Sequence, residues 1–123
     1  MKEVLLGAIK KGLESYPDVI FAYVFGSFLN SENFRDVDIG IYIKDTANPF
    51  AVSPELKNKF PEGLEVYGKF NADFFDVQIL NYAPFYILGR IIREGILILD
   101  RNPEFRKNLV EKISLMYREC AGI

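Results

Sequence analysis

The chain has 123 residues, of which 50% are hydrophobic and 26% are charged, and its formal net charge is −2. This length and composition predict a single domain, residues 1–123, with its own hydrophobic core. The negative net charge argues against broad, phosphate-driven binding of nucleic acids. The absence of histidine excludes Ser-His-Asp and Cys-His catalysis as well as imidazole zinc sites.

Apolar runs and cysteine content indicate the compartment. No apolar run reaches the roughly 18 residues that a membrane-spanning helix needs, and charged residues interrupt the first apolar segment early. A single cysteine cannot form an internal disulfide bond, which is typical of a reducing environment. We therefore expect a cytoplasmic protein that does not associate with membranes.

The hydrophobic pattern of the first half predicts one helix, two strands and a short helical segment. The helix and the two strands are expected over residues 2–15, 19–25 and 36–44. Helical spacing of apolar residues indicates the first element, a continuous apolar run the second and strict alternation the third. Ser53 as cap and Pro54 at the first helical position predict a helical segment that ends near residue 69. Pro61 interrupts this segment.

The second half of the chain predicts two further strands and two further helices. The strands are expected over 73–80 and 96–99, and the shorter helix over 85–94. Asn102 as cap and Pro103 at the first helical position predict a final helix that runs to about residue 120. Because helices alternate with strands, we predict an α+β fold with a small mixed β-sheet of about four strands covered by helices.

Two aspartates stand at alternate positions in the predicted strand 36–44. Successive side chains of a strand point to opposite faces, so Asp36 and Asp38 share one face while Val37 and Ile39 face the core. The two acidic residues lie about 6.6 Å apart at Cα, from a rise of ~3.3 Å per residue. Such carboxylates raise each other's pKa unless a cation lies between them. Mg²⁺ is the expected cation, because it binds few carboxylates together with phosphate oxygens.

A third acidic residue is expected beside this pair. In the predicted strand 73–80, Asp76 has the parity that places it on the same face as Asp36 and Asp38, provided that the two strands are neighbours. Asp73 has the opposite parity. Three carboxylates on one sheet face predict metal-assisted phosphoryl or nucleotidyl transfer, in which one acid could also take the proton of an acceptor hydroxyl.

A Gly-Ser pair ends the predicted strand 19–25. Gly26 has no Cβ, so backbone N–H groups can approach an anion there, and Ser27 adds further donors for phosphate oxygens. A single Gly-Ser turn or a single Asp-x-Asp pair carries little information. The ordered set of strand, Gly-Ser, Asp-x-Asp and a later strand acid points to a catalytic site.

This set resembles the nucleotidyltransferase superfamily of DNA polymerase beta. More narrowly, the segments "VFGSF", "FRDVDIGIYI", "FDVQILNYAP" and "RIIREGILILDRN" resemble the minimal nucleotidyltransferase (MNT) proteins, the antitoxins of HEPN/MNT toxin–antitoxin pairs. The resemblance implies a nucleotidyltransferase fold in which Gly26 and Ser27 hold the triphosphate of ATP. It also implies that Asp36, Asp38 and Asp76 form the catalytic, magnesium-binding triad.

The resemblance further implies the reaction. An acceptor hydroxyl would attack the α-phosphorus of ATP with loss of pyrophosphate, and the expected acceptor is a tyrosine of a HEPN-type toxin, which the added AMP would silence. Two alternatives remain open. The same core could transfer a nucleotide to a small molecule such as an aminoglycoside, although 123 residues leave little room for its binding. The chain could also neutralise a toxin by contact alone.

Two features of the second half allow more than one interpretation. The segment "FFDVQILNYAPFYIL" is rich in aromatic residues, which could fill the core, form a partner surface or support a homodimer. Arg90 and Arg93 lie near the end of the predicted helix 85–94, where they could contact phosphate or interact with the last turn of that helix.

Overall fold

The computed structural model describes residues 1–68 and 70–121, with side-chain environments up to residue 119. These parts of the chain form five α-helices, three short 3₁₀ helices and four strands. The helices are α1 (Lys2–Glu14), α2 (Ser27–Asn30), α3 (Pro49–Lys59), α4 (Phe85–Glu94) and α5 (Pro103–Ala121). The strands are β1 (Val19–Phe25), β2 (Val37–Ile43), β3 (Phe75–Ile79) and β4 (Ile96–Asp100).

The four strands form one mixed sheet in the order β3-β2-β1-β4. Strand β1 is antiparallel to both β2 and β4, whereas β2 and β3 run parallel. The parallel pair requires a long crossover, which residues 44–74 provide. The predicted α+β fold with a four-stranded mixed sheet is confirmed.

Helices cover both faces of the sheet. The apolar residues of β2 pack with α1 and α3 as the alternation predicts, in a core that includes Leu5, Ile9, Ile39, Ile41 and Leu56. The opposite face carries a second, smaller core under α4 and α5, formed by Phe21, Tyr23, Leu80, Leu88, Ile91 and Ile113. The face that carries the aspartates is therefore itself largely covered.

The acidic face of β2 changes its environment along the strand. Tyr42 stacks on Phe21 in the second core, with ring centroids 5.1 Å apart. Gly40 lies under Leu80, whose Cδ2 is 2.8 Å from the position of a Cβ added at that glycine. Only the beginning of the strand, at Asp38, reaches an open cleft at the edge of this core.

The start of α3 differs from the prediction. The helix begins at Pro49, and the Asn48 side chain caps it by accepting a hydrogen bond from the backbone N–H of Phe50 at 3.0 Å. Ser53 is therefore not the cap, and Pro54 lies inside the helix. The helix ends at Lys59, just before the interrupting Pro61, and the predicted limit at residue 69 lies outside the described residues.

The cap predicted for the last helix is confirmed. The side-chain oxygen of Asn102 accepts a hydrogen bond from the backbone N–H of Phe105 at 3.1 Å. The preceding residue, Arg101, joins the end of β4 to the connection between α1 and β1. Its guanidinium donates four hydrogen bonds of 2.7 to 3.2 Å to the main-chain oxygens of Leu13, Glu14, Tyr16 and Val19.

The aromatic segment is divided between core and surface. Phe75 is fully buried, whereas Tyr82 is 73% exposed and Tyr86 is 56% exposed. The core interpretation therefore holds for Phe75, whereas a role of the exposed tyrosines in a partner surface or a homodimer stays a prediction. In the described part of the chain, no helix combines the length and the apolar character that crossing a membrane would require.

Candidate active site

Asp38 and Asp76 lie side by side on neighbouring strands. The parallel register pairs them directly across β2 and β3, so their side chains project from the same face of the sheet. Their carboxyl groups lie close enough for one, when protonated, to donate a hydrogen bond to the other. The structure thus brings together two of the three acidic residues that the sequence selects, and the parity argument for Asp76 is confirmed.

The electrostatics of this pair depend on burial and on like charges. Burial of Asp38, its hydrogen bond to Asp76, and the negative charges of Asp36 and Asp76 raise the pKa of Asp38 to about 6. Asp38 is half-buried, whereas Asp76 is exposed. A cation placed at these carboxylates would relieve their repulsion and lower this pKa.

Asp36 has a weaker link to the site. It is exposed, it precedes the first residue of β2, and its negative charge contributes to the raised pKa of Asp38. Within residues 1–68 and 70–119, no group of three or more His, Cys, Asp or Glu side chains is arranged to hold a metal ion. The participation of Asp36 in a three-acid metal site stays a prediction.

Gly26 lies directly beside Asp38. Its φ of 84° belongs to a region that favours glycine, and a Cβ added there would overlap the Oδ2 atom of Asp38. The sequence predicts that Gly26 lets an anion approach its backbone. In the structure, the anionic group that lies against Gly26 is the carboxylate of Asp38. Ser27 is the first residue of the four-residue helix α2 and is exposed.

The donor chemistry of the pair fits a hard divalent cation. Carboxylate oxygens are the protein ligands that Mg²⁺ prefers, and two of them with phosphate oxygens and water satisfy its coordination. Asp38 and Asp76 supply such oxygens at one point, where their own repulsion favours a positive charge. These two residues are therefore suited to hold the metal ion that the sequence predicts.

An open cleft of about 370 Å³ adjoins the acidic pair. This volume lies within the usual range for small-molecule sites. The ends of the strands form one side of the cleft and helix α4 forms the other, and the lining residues are Phe25, Gly26, Asp38, Gln78, Ile87, Arg90, Ile91 and Glu94. Each side of the cleft therefore offers both polar and apolar groups to a ligand.

The structure places Arg90 and Arg93, whose roles the sequence leaves open, in different surroundings. Arg90 lines the cleft together with Asp38. Arg93 lines a different depression, between α4 and α5. Sequence spacing alone carries no signal for this difference, because it depends on how α4 lies across the sheet.

Solved structures similar to this chain share its fold. The complex of a tri-AMPylated Shewanella oneidensis HEPN toxin with MNT antitoxin contains a chain with TM-score 0.69 and 21% identity, over 99% of this chain and 91% of that one. A toxin–antitoxin structure with AMP-PNP gives TM-score 0.69 and 22% identity, over 95% of this chain and 90% of that one. The toxin–antitoxin MntA–HepT gives TM-score 0.65 and 21% identity, over 98% of this chain and 90% of that one.

No curated protein matches the sequence. The family described as "Polymerase beta, Nucleotidyltransferase" matches residues 8–104, which include the Gly-Ser turn, all three aspartates, part of α1 and the whole of α2, α3 and α4. This match covers most of the chain. The chain therefore belongs to the polymerase beta nucleotidyltransferase family.

Proposed function

We propose that this protein is a Mg²⁺-dependent nucleotidyltransferase that moves AMP from ATP to a tyrosine hydroxyl of a HEPN-type toxin and thereby acts as an antitoxin. The observation that carries the proposal is the contact of Asp38 with Asp76 beside Gly26, in a chain of the polymerase beta nucleotidyltransferase family. The acceptor is supported by the fold shared with the MNT antitoxin of an AMPylated HEPN toxin.

The acidic residues, Gly26 and Ser27 have different roles in this proposal. Asp38 and Asp76, with Asp36 beside them, would hold Mg²⁺, which would supply positive charge to the phosphate oxygens. Gly26 keeps the site open for the Asp38 carboxylate. The exposed Ser27 offers its hydroxyl to the triphosphate at the edge of the cleft.

The transfer itself needs one proton acceptor. The tyrosine oxygen of the toxin forms a bond to the α-phosphorus of ATP, while the bond from that phosphorus to the leaving pyrophosphate breaks. The hydroxyl proton passes to a carboxylate, for which the exposed Asp76 is best placed to reach a partner protein. No covalent intermediate on the chain is required, which agrees with the absence of histidine.

The test uses labelled ATP, Mg²⁺ and the product of the adjacent gene as acceptor. We expect label on an acceptor tyrosine, located by mass spectrometry, and a loss of more than about 100-fold in transfer rate for Asp38→Asn. Asp73→Asn is the matched control, since Asp73 is an exposed aspartate three residues from Asp76 in the chain and lies before β3, in the 3₁₀ helix Ala72–Phe74. Its transfer rate should equal that of the wild type.

The same assay separates the alternatives. A stable complex without label, unaffected by Asp38→Asn, would indicate a non-catalytic toxin-binding module. Label on an aminoglycoside instead of the protein partner would indicate transfer to a small molecule. Either result would overturn the proposed transfer to a toxin.

A further inference from the structure

We propose, on the basis of the proposed function, that Arg90 binds the triphosphate of the nucleotide substrate and that Glu94 holds the Arg90 side chain until the nucleotide enters. The two residues lie one helical turn apart on α4 and both line the cleft beside Asp38. When the triphosphate binds, Arg90 releases Glu94 and contacts the phosphate oxygens instead.

The charge of the cleft is the first argument. Asp38 and Glu94 are its acidic lining residues, and Asp76 is in contact with Asp38. Among the described residues that line the cleft, Arg90 is the only cation. A polyanionic triphosphate at this site must overcome the repulsion of the carboxylates. Besides the metal ion, Arg90 is the positive charge that the chain itself places there.

The present partner of Arg90 is the second argument. Its Nε atom donates a hydrogen bond to Oε2 of Glu94 at 3.2 Å, and the two side chains are 73% and 56% exposed. An exposed pair of this kind is held weakly, because water competes for both charges. A guanidinium group can instead form paired, charge-assisted hydrogen bonds to phosphate, which are stronger. Exchange of Glu94 for phosphate is therefore favourable.

The third argument is that Glu94 has a second cation nearby. The NH2 atom of Arg93 lies 3.9 Å from Oε1 of Glu94, and Arg93 itself lines the separate depression between α4 and α5. When Arg90 turns to the triphosphate, Glu94 keeps a positive neighbour. Arg93 thus contacts Glu94 but does not face the nucleotide.

The experiment measures nucleotide binding without transfer. The full chain is titrated in a calorimeter, in Mg²⁺ buffer, with α,β-methylene ATP, whose bridge blocks transfer, and separately with AMP. We expect Arg90→Gln to weaken binding of the triphosphate analogue by roughly tenfold or more and to change AMP binding much less. Arg93→Gln is the matched control and should bind the analogue like the wild type. Glu94→Gln should bind it as tightly as the wild type or more tightly.

Several results would overturn the inference. Wild-type affinity in Arg90→Gln, or an equal loss in Arg90→Gln and Arg93→Gln, would show that Arg90 makes no specific contact with the triphosphate. Weaker binding of the triphosphate analogue by Glu94→Gln would show that Arg90 does not leave Glu94 to bind the triphosphate. In all these cases the proposed transfer reaction would stand, because the wild type binds the nucleotide. A wild-type chain that binds no analogue would overturn the inference and the proposed function together.

The variants are suitable for this comparison because both arginines are largely exposed on α4, with side chains 73% and 66% accessible. Their replacement by glutamine should leave the fold intact. Thermal unfolding of each variant checks this expectation before the titrations.

Discussion

The Oδ2 atom of Asp38 occupies the space that a Cβ atom at Gly26 would need. This relationship joins two motifs that the sequence presents separately, the Gly-Ser turn after β1 and the Asp-x-Asp pair at the start of β2. The antiparallel register explains it, because Phe25 is paired with Asp38 and Gly26 follows Phe25 directly. Gly26 therefore contributes to the site because its lack of a Cβ leaves space for the Asp38 carboxylate.

Gly26→Ala should damage both stability and activity. The positive φ of Gly26 is costly for alanine, by about 1–3 kcal/mol, and the new methyl group would displace the Asp38 carboxylate. We expect urea unfolding to show this loss of free energy. We also expect the rate of AMP transfer to fall further than the folded fraction of the protein explains.

Gly63→Ala provides the control for backbone strain. Gly63 has a φ of 83°, close to that of Gly26, but no atom lies within 4 Å of a Cβ added there. This variant should lose stability without a specific loss of transfer. If both variants lose transfer in proportion to their stability, the contact between Gly26 and Asp38 has no role of its own.

The raised pKa of Asp38 predicts a dependence of stability on pH. The pKa is about 6 in the folded chain and about 4 in an unfolded one, so between these values the folded state binds the additional proton. Stability should therefore fall as pH rises from about 4 through 6. Because solvent reaches the half-buried carboxyl, we expect the loss to be about 1 kcal/mol.

Asp38→Asn tests whether ionisation of Asp38 causes this pH dependence, since asparagine does not ionise. In buffer with a chelator, the variant should be more stable than the wild type at pH 7, and the difference should disappear near pH 4. Urea unfolding at a series of pH values measures it. A constant difference across this range would mean that ionisation of Asp38 is not its source.

Magnesium should reverse the loss of stability that the clustered carboxylates cause. A cation that binds the ionised carboxylates of Asp38 and Asp76 stabilises the folded state, by about 1.4 kcal/mol at tenfold excess over its dissociation constant. Thermal unfolding with and without MgCl₂ at pH 7.5 should show this gain for the wild type and for Asp73→Asn. Asp76→Asn should lose most of it. An equal gain in all three proteins would indicate binding elsewhere.

Arg101 should contribute to stability without affecting the site. Its guanidinium donates to four main-chain oxygens around the end of α1, so Arg101→Ala leaves these oxygens without that partner. We expect a loss of about 2 kcal/mol in the free energy of unfolding. Arg118→Ala, on the exposed side of α5, should cost much less. AMP transfer by the folded fraction should be unchanged in both variants.

Strand parity made much of the acidic site predictable. A period of two places Asp38 opposite the core residues of β2 and Asp76 on the same face in β3, whereas Asp73 lies before β3 in the 3₁₀ helix Ala72–Phe74. The direct pairing of Asp38 with Asp76 could not be predicted in the same way, because it depends on which strands are neighbours. The position of Arg90 in the cleft likewise depends on tertiary packing of α4.

One helix start was missed although its signal is local. Asn48-Pro49 has the same pattern as Asn102-Pro103, and in both places the asparagine side chain caps the helix. Ser53 is the predicted cap because proline is typical of the first helical position. Pro54 instead follows several residues of helix, a position that usually costs a backbone hydrogen bond.

The parallel pairing of β2 with β3 has a consequence for how this protein can vary among its relatives. Residues 44–74 connect the two strands, and chain length added or deleted in the exposed turns of that connection, outside α3, leaves the ladder in place at small entropic cost. A single residue inserted between Phe75 and Asp76 would instead turn the acid toward the opposite side of the sheet. Homologues should therefore differ in length in the exposed turns of the crossover and keep a fixed spacing inside the ladder.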